Sequence, residues 1–189
     1  GVYKVIVFEE NIFILSALGG EIMAFDTTGK FRFKLEKGRG PGEILYPTDI
    51  ALSETRRQLL VLDRYRTLKT FNLNGKYVDS EHLNNVALYI ATSGEKNIYF
   101  DSNFDKKNKF YGLIKEKNKN ICKFFPKKGD KLCEKSNLIY PYPFNKFDED
   151  TVLVYSIFSD TIYSVCSTQN EAFPFYILNN MGKSMNQSE

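Results

Sequence analysis

One unit of this chain is written twice. Phe25-Asp26-Thr27-Thr28-Gly29-Lys30-Phe31 returns as Phe71-Asn72-Leu73-Asn74-Gly75-Lys76-Tyr77, a period of about 46 residues, in the range of repeated supersecondary units. A run of strand-forming residues precedes each copy, Ile12 to Leu15 in the first and Leu59 to Leu62 in the second. Short strands that close on glycine turns at this period predict the blades of a β-propeller.

Composition narrows the alternatives. A chain of 189 residues is one domain, or a piece of one, and can bury a proper core. Its aromatic share of 15% is carried by 16 Phe and 12 Tyr without Trp, and 6 Pro with 12 Gly are too few for a disordered or collagen-like chain. The net charge of +3 points to no polyanionic partner. No segment approaches the roughly 18 consecutive apolar residues of a membrane-spanning helix. Gly1 leads straight into the strand-like Val2 to Phe8 without a signal peptide. A chain starting without Met reads as processed or cut, so the compartment is not legible there.

Apolar runs along the chain are short, rich in Val, Ile, Phe and Tyr, and bounded by Gly, Asn, Asp or Lys turns, which is strand punctuation. They group into four sets of four strands, at 2–36, 47–80, 86–126 and 143–178, with a polar tail at 179–189. The predicted fold class is all-β, a propeller of four-stranded antiparallel blades. The lysine runs at Lys106 to Lys109 and Glu116 to Asn120 read as solvated loop tips rather than a binding stripe.

Several strings together resemble a known family. They are Phe25-Asp26-x-x-Gly29-Lys30-Phe31, Lys37-Gly38-Arg39-Gly40-Pro41-Gly42-Glu43, Val61-Leu62-Asp63-Arg64, Phe71-Asn72-x-x-Gly75-Lys76 and Ser159-Asp160-Thr161-Ile162-Tyr163. The family is the six-bladed β-propeller proteins of Bacteroides-type bacteria, related in fold to the NHL and TolB-like propellers. The resemblance implies an exported protein, commonly a lipoprotein of the cell envelope (periplasmic or outer-membrane), largely without assigned activity. It also implies six blades where this sequence supplies about four, so the expected propeller is incomplete relative to that ring. Any membrane contact would come through a lipid anchor absent from this chain, and open blade edges could pair with another copy.

Three stretches are candidate ligand sites. The glycines of Gly38-Arg39-Gly40-Pro41-Gly42-Glu43 can present successive N–H groups as an anion-binding nest beside Arg39. No Lys-Ser/Thr follows, so this is not a phosphate loop. The same glycines can instead simply turn the chain from one blade to the next, which their place at a blade boundary favours, leaving Arg39 and Glu43 as a polar patch. In Asp63-Arg64-Tyr65-Arg66 the arginines follow an apolar strand and could grip a carboxylate or phosphate, or could be solvated while Asp63 caps the turn. Tyr140 and Tyr142, interleaved with Pro141 and Pro143, are either flat platforms for a sugar or peptide or a connector between blades.

Chemistry is less marked. Cys122 and Cys133 flank a turn-like Pro126 to Asp130 and could pair as a disulfide across a hairpin, or remain separate thiols beside Cys166. No cysteine–histidine spacing marks a metal site, and Asp148-Glu149-Asp150 lacks a calcium-loop pattern. His82 is the only histidine, and no Ser or Cys is marked as a nucleophile beside it. The expectation is a non-catalytic binding or scaffold module of the envelope that recognises a glycan, peptide or protein through blade-connecting loops. It requires no cofactor and no nucleic acid. The alternative is a glycan-active enzyme whose carboxylates come from different blades.

Overall fold

The computed structural model describes residues 1–17, 20–101, 110–116, 119–126, 142–148, 150–155 and 161–178. Among these, sixteen strands form four four-stranded antiparallel sheets, each a meander in chain order. The first is β1 (Val2–Phe8), β2 (Asn11–Ser16), β3 (Ile22–Asp26) and β4 (Phe31–Lys34). The second is β5 (Pro47–Ser53), β6 (Gln58–Asp63), β7 (Thr67–Asn72) and β8 (Tyr77–His82). The third is β9 (Tyr89–Ser93), β10 (Lys96–Phe100), β11 (Phe110–Glu116) and β12 (Lys119–Pro126). The fourth is β13 (Phe144–Lys146), β14 (Thr151–Val154), β15 (Thr161–Cys166) and β16 (Ala172–Ile177). These are propeller-type blades, as the strand and turn pattern predicted. The chain divides into two compact units, Gly1–Ile90 and Ala91–Glu189.

In the first unit the repeated string turns out to be a repeated hydrogen-bond circuit. Asp26 Oδ1 accepts from the Thr28 amide at 3.0 Å and the Lys30 amide at 3.0 Å, while the Gly29 amide donates to the Asp26 carbonyl at 2.9 Å. Asn72 Oδ1 likewise accepts from the Asn74 amide at 3.0 Å and the Lys76 amide at 2.9 Å, and the Gly75 amide donates to the Asn72 carbonyl at 3.0 Å. A short side-chain oxygen that satisfies two following amides is what Asp and Asn bring to turns. The glycines sit at φ +86° and +79°, where a side chain would be strained.

The core of this unit lies between the first two blades. Phe13, Leu15, Ile22, Ala24, Leu35, Ile44, Ile50, Leu52, Leu59, Val61 and Phe71 form one buried cluster, with Ile6, Phe8 and Phe33 packed against it. Register explains the selection. Ile6 pairs with Phe13, Phe13 with Ala24, and Ala24 with Phe33, so all four share one face of the first sheet. A partly buried ion pair ties the innermost strands of the two blades: Lys4 Nζ donates to Asp49 Oδ1 at 2.8 Å. Asp49 is fully buried and also accepts from the amides of Ile50 and Ile90, each at 2.8 Å. Burial pushes its carboxyl up and the Lys4 ammonium down, against the mutual attraction of the two charges.

In the second unit the core is aromatic. Phe100 stacks on Tyr111 with centroids 5.9 Å apart and meets Phe144 edge-on at 6.2 Å, while Phe125 meets Tyr163 edge-on at 4.7 Å. The last two of these contacts join the third blade to the fourth. The ammonium of Lys96, itself buried, donates to the carbonyls of Ser167 and Gln169.

Candidate functional site

Blade connectivity gives the first unit two ends. One, the crossover end, carries the segments 35–46 and 83–88 that lead into the next blade, together with the turn between β6 and β7. The other, the hairpin end, carries the turns β1–β2, β3–β4, β5–β6 and β7–β8.

At the crossover end the glycine-rich loop is closed by its own acid. A Glu43 carboxylate oxygen accepts from the Gly40 amide at 2.8 Å, and a Cβ on Gly38 would lie only 2.0 Å from that oxygen. The glycine-rich loop therefore holds an internal carboxylate at its Gly40 amide, and a side chain at Gly38 would have to displace that acid. Lys69, buried on β7, donates its ammonium to the carbonyls of Gly40 and Glu43. Buried Asp63 accepts from the amides of Leu45 at 3.2 Å and Tyr46 at 2.6 Å. Charged groups taken out of water are costly unless fully bonded; here they are bonded to loop backbone, which fixes the loop rather than a core.

The turn after β6 sits between the two crossovers and is laced to both. The Arg64 amide donates to the Tyr46 carbonyl at 2.9 Å, the Leu83 amide to the Arg66 carbonyl at 2.7 Å, and the Ala87 amide to the Tyr65 carbonyl at 2.8 Å. Arg64 and Tyr65 adopt left-handed φ of +55° and +63°. The exposed result is Arg39, Arg64, Tyr65 and Tyr46, the last 69% exposed. Arg66 instead donates through Nη1 to the Asn84 carbonyl at 2.8 Å. Of the residues singled out in the sequence, Arg39 and Arg64 thus face solvent, while Glu43 and Arg66 hold loops. Tyr46 and Lys69 had not been marked for the site, whereas Asp63, expected to cap its own turn, instead bonds the amides of Leu45 and Tyr46. An aromatic immediately before the Pro47 of a strand start was the available signal for Tyr46.

Tyr142 belongs to the second unit, half-buried and edge-on to Phe144 at 5.8 Å. Cys122 carries a free thiol pushed up by burial. Tyr140 and Cys133 lie outside the described residues, as do Glu149 and Asp160.

The hairpin end holds a cleft of about 570 Å³ lined by Glu9, Glu10, Asn11, Arg32, Arg57, Asn72, Leu73 and Asn74. Arg57 grips Glu9 with both guanidinium nitrogens, one contact at 2.8 Å, and lies 5.9 Å from the centroid of the Phe8 ring. Arg32 donates to Asn11 Oδ1 at 2.5 Å and reaches Glu10 at 3.5 Å. Both Glu9 and Arg57 hold left-handed φ, +51° and +52°, at hairpin positions that usually take glycine or asparagine. Each such residue costs on the order of 1 kcal/mol. The hydrogen bonds from Arg57 hold the Glu9 carboxyl below the usual carboxylate range.

The chain belongs to the family described as a domain of unknown function, DUF4934, whose profile matches residues 1–188. No curated protein matches it. Among solved structures it is similar to a Bacteroides fragilis protein described as exported, with TM-score 0.74 and 17% identity, covering 92% of this chain and 49% of that one. It is also similar to BamB from Moraxella catarrhalis, with TM-score 0.59 and 13% identity over 89% of this chain and 46% of BamB. PorZ of Porphyromonas gingivalis, a surface component of the type-IX secretion system, matches with TM-score 0.57 and 11% identity over 99% of this chain and 22% of PorZ. The chain spans about half the length of the first two. At these identities the likeness is one of fold.

Proposed function

We propose that the chain is a non-catalytic recognition module of the bacterial cell envelope that holds a protein or peptide partner on its crossover end. The observation that carries this reading is the clamp beneath Tyr46, Arg64 and Tyr65. Asp63 and Lys69 are buried charges bonded to the loops that display those side chains. A platform fixed before binding loses little entropy on binding. Tyrosine and arginine are the side chains that most often anchor protein interfaces, because each brings a large rigid surface with a polar end. Envelope placement is supported by the exported Bacteroides protein and the surface component PorZ among the structural neighbours, and by the sequence resemblance to envelope propellers. On the same reading these blades are part of a larger propeller, which the half-length match supports; its six blades and its lipid anchor are what the sequence resemblance implies.

Crosslinking of the purified chain to an envelope extract, followed by mass spectrometry, tests the proposal. A specific partner should be captured by the wild type and lost, at unchanged melting temperature, by the Tyr46→Ala, Arg64→Ala, Tyr65→Ala triple variant. Undiminished capture by that variant would refute it.

A further inference from the structure

We propose that the cleft at the hairpin end of the first unit is a second binding site, and that its ligand is a neutral oligosaccharide. This stands apart from the crossover-end reading, sharing no residue with it. The cleft brings two blades together: Glu9, Glu10, Asn11 and Arg32 come from the first, Arg57, Asn72, Leu73 and Asn74 from the second. Its volume of about 570 Å³ lies within the range of small-ligand sites.

The chemistry of the lining selects the ligand. Leu73 is the one apolar side chain in it, so an acyl chain or other apolar ligand finds no matching wall. The two guanidiniums are balanced by two carboxylates, and each arginine already faces an acid: Arg57 holds Glu9, and Arg32 reaches Glu10 at 3.5 Å. An incoming phosphate or carboxylate would be repelled by those acids, and an incoming cation by the arginines. What the lining offers instead is a dense alternation of donors and acceptors on groups already oriented by one another. Vicinal hydroxyls, which donate and accept at once without charge, complement such a surface. Glu10 is 83% exposed at its side chain, and Asn74 is exposed at the tip of the repeated turn, where its amide nitrogen is bonded to Asn72. These two stand at the mouth and are the groups a sugar would meet first.

The backbone adds an independent argument. Glu9 and Arg57, the pair that bridges the cleft, each occupy a left-handed position, in the β1–β2 and β5–β6 hairpins. Glycine or asparagine would relax both turns. Keeping a carboxylate and a guanidinium there retains the cleft at the expense of turn stability, the pattern of a functional constraint.

Titration calorimetry of the full chain against neutral tri- to hexasaccharides from α-glucan, β-glucan, xylan and mannan tests the site, with oligogalacturonate, inorganic phosphate and calcium as charged comparators. The expected result is saturable binding of at least one neutral oligosaccharide. Glu10→Ala and Asn74→Ala should each weaken it about tenfold, the loss of one good hydrogen bond, with unchanged melting temperature. Arg64→Ala at the other end should leave it intact, so the two sites fail separately. Absence of binding by every neutral oligosaccharide overturns the proposal. Binding that both cleft variants leave unchanged, or a preference for oligogalacturonate, phosphate or calcium, overturns it equally.

Discussion

The turns that follow β3 and β7 are near-copies in their hydrogen bonds, yet the blades they close meet different surroundings. In the second blade burial runs unbroken: Ile50 to Ser53 on β5 and Leu59 to Asp63 on β6 are all buried. In the first blade it alternates. Phe13 and Leu15 on β2 are buried between half-exposed neighbours, and on β1 Val5 is 50% and Val7 64% exposed. Register places Val5 beside Ile14 and Met23, and Val7 beside Ile12 and Phe25, so the outer face of this blade is apolar as well. Two blades with the same sequence signature therefore differ in how many of their faces are covered. Apolar residues on both faces of a strand declare what the strand can pack against, and its neighbours decide what it does pack against.

The comparison can be broken at its joint. Asp49→Ala removes the acceptor shared by Lys4 and two amides, leaving the partly buried Lys4 ammonium without this carboxylate. It should cost about 3–5 kcal/mol in urea unfolding, the largest single effect, because both blades lose their tie. Next comes the contrast of covered and uncovered faces. Leu59→Ala on β6 should cost about 2–5 kcal/mol, whereas Val5→Ala on the exposed face of β1 should stay within about 0.5 kcal/mol. A large loss for Val5→Ala would show that this face is covered in solution.

The repeated glycines sharpen the comparison further. A Cβ on Gly29 would meet open space, while one on Gly75 would lie 2.6 Å from the Phe33 ring of the neighbouring blade. Gly29→Ala should cost about 1 kcal/mol for its positive φ alone, and Gly75→Ala measurably more, with part of the excess recovered by Phe33→Leu. The smallest effect separates Asp26 from Asn72. Hydrogen bonds from the Thr28 side chain and the Lys30 amide hold the Asp26 carboxyl below its ordinary value. A lowered folded-state value means a contribution present above the ordinary carboxylate pKa and lost as pH falls through the folded one. Acid should therefore loosen the first turn and spare the second. Amide exchange at Lys30 should rise on acidification relative to Lys76, and Asp26→Asn should abolish the difference.

Much of the fold was legible because its determinants are local. Asp26 and Asn72 satisfy amides two and four residues ahead, so the turns are written within five positions. Alternating or continuous runs of Val, Ile, Leu and Phe marked the strands between them. The site was legible only where charge stands on a turn, as at Arg39 and Arg64. Glu43 looked like a surface acid and folds back into its own loop. Lys69 lies in a strand and serves a loop 26 residues earlier, on the carbonyl of Glu43. Tyr46 becomes prominent only when the turn after β6 is laid against it. The cleft-forming pair Glu9 and Arg57 is 48 residues apart in sequence, and its one local hint was a charged residue where a turn favours glycine.

By itself, the sequence determined that this chain makes short antiparallel strands, closes them with Asx and glycine turns, and stacks them as propeller-type blades. Those outcomes depend on φ preferences and on hydrogen bonds between residues a few positions apart. Only the tertiary structure decided which face of the first blade is covered, which charges are buried as clamps, and that one end displays tyrosine and arginine while the other encloses a polar cleft. Desolvation and ion pairing depend on whatever lies within a few ångströms, and in a chain of meandering sheets those neighbours come from a different blade or from the crossover between two.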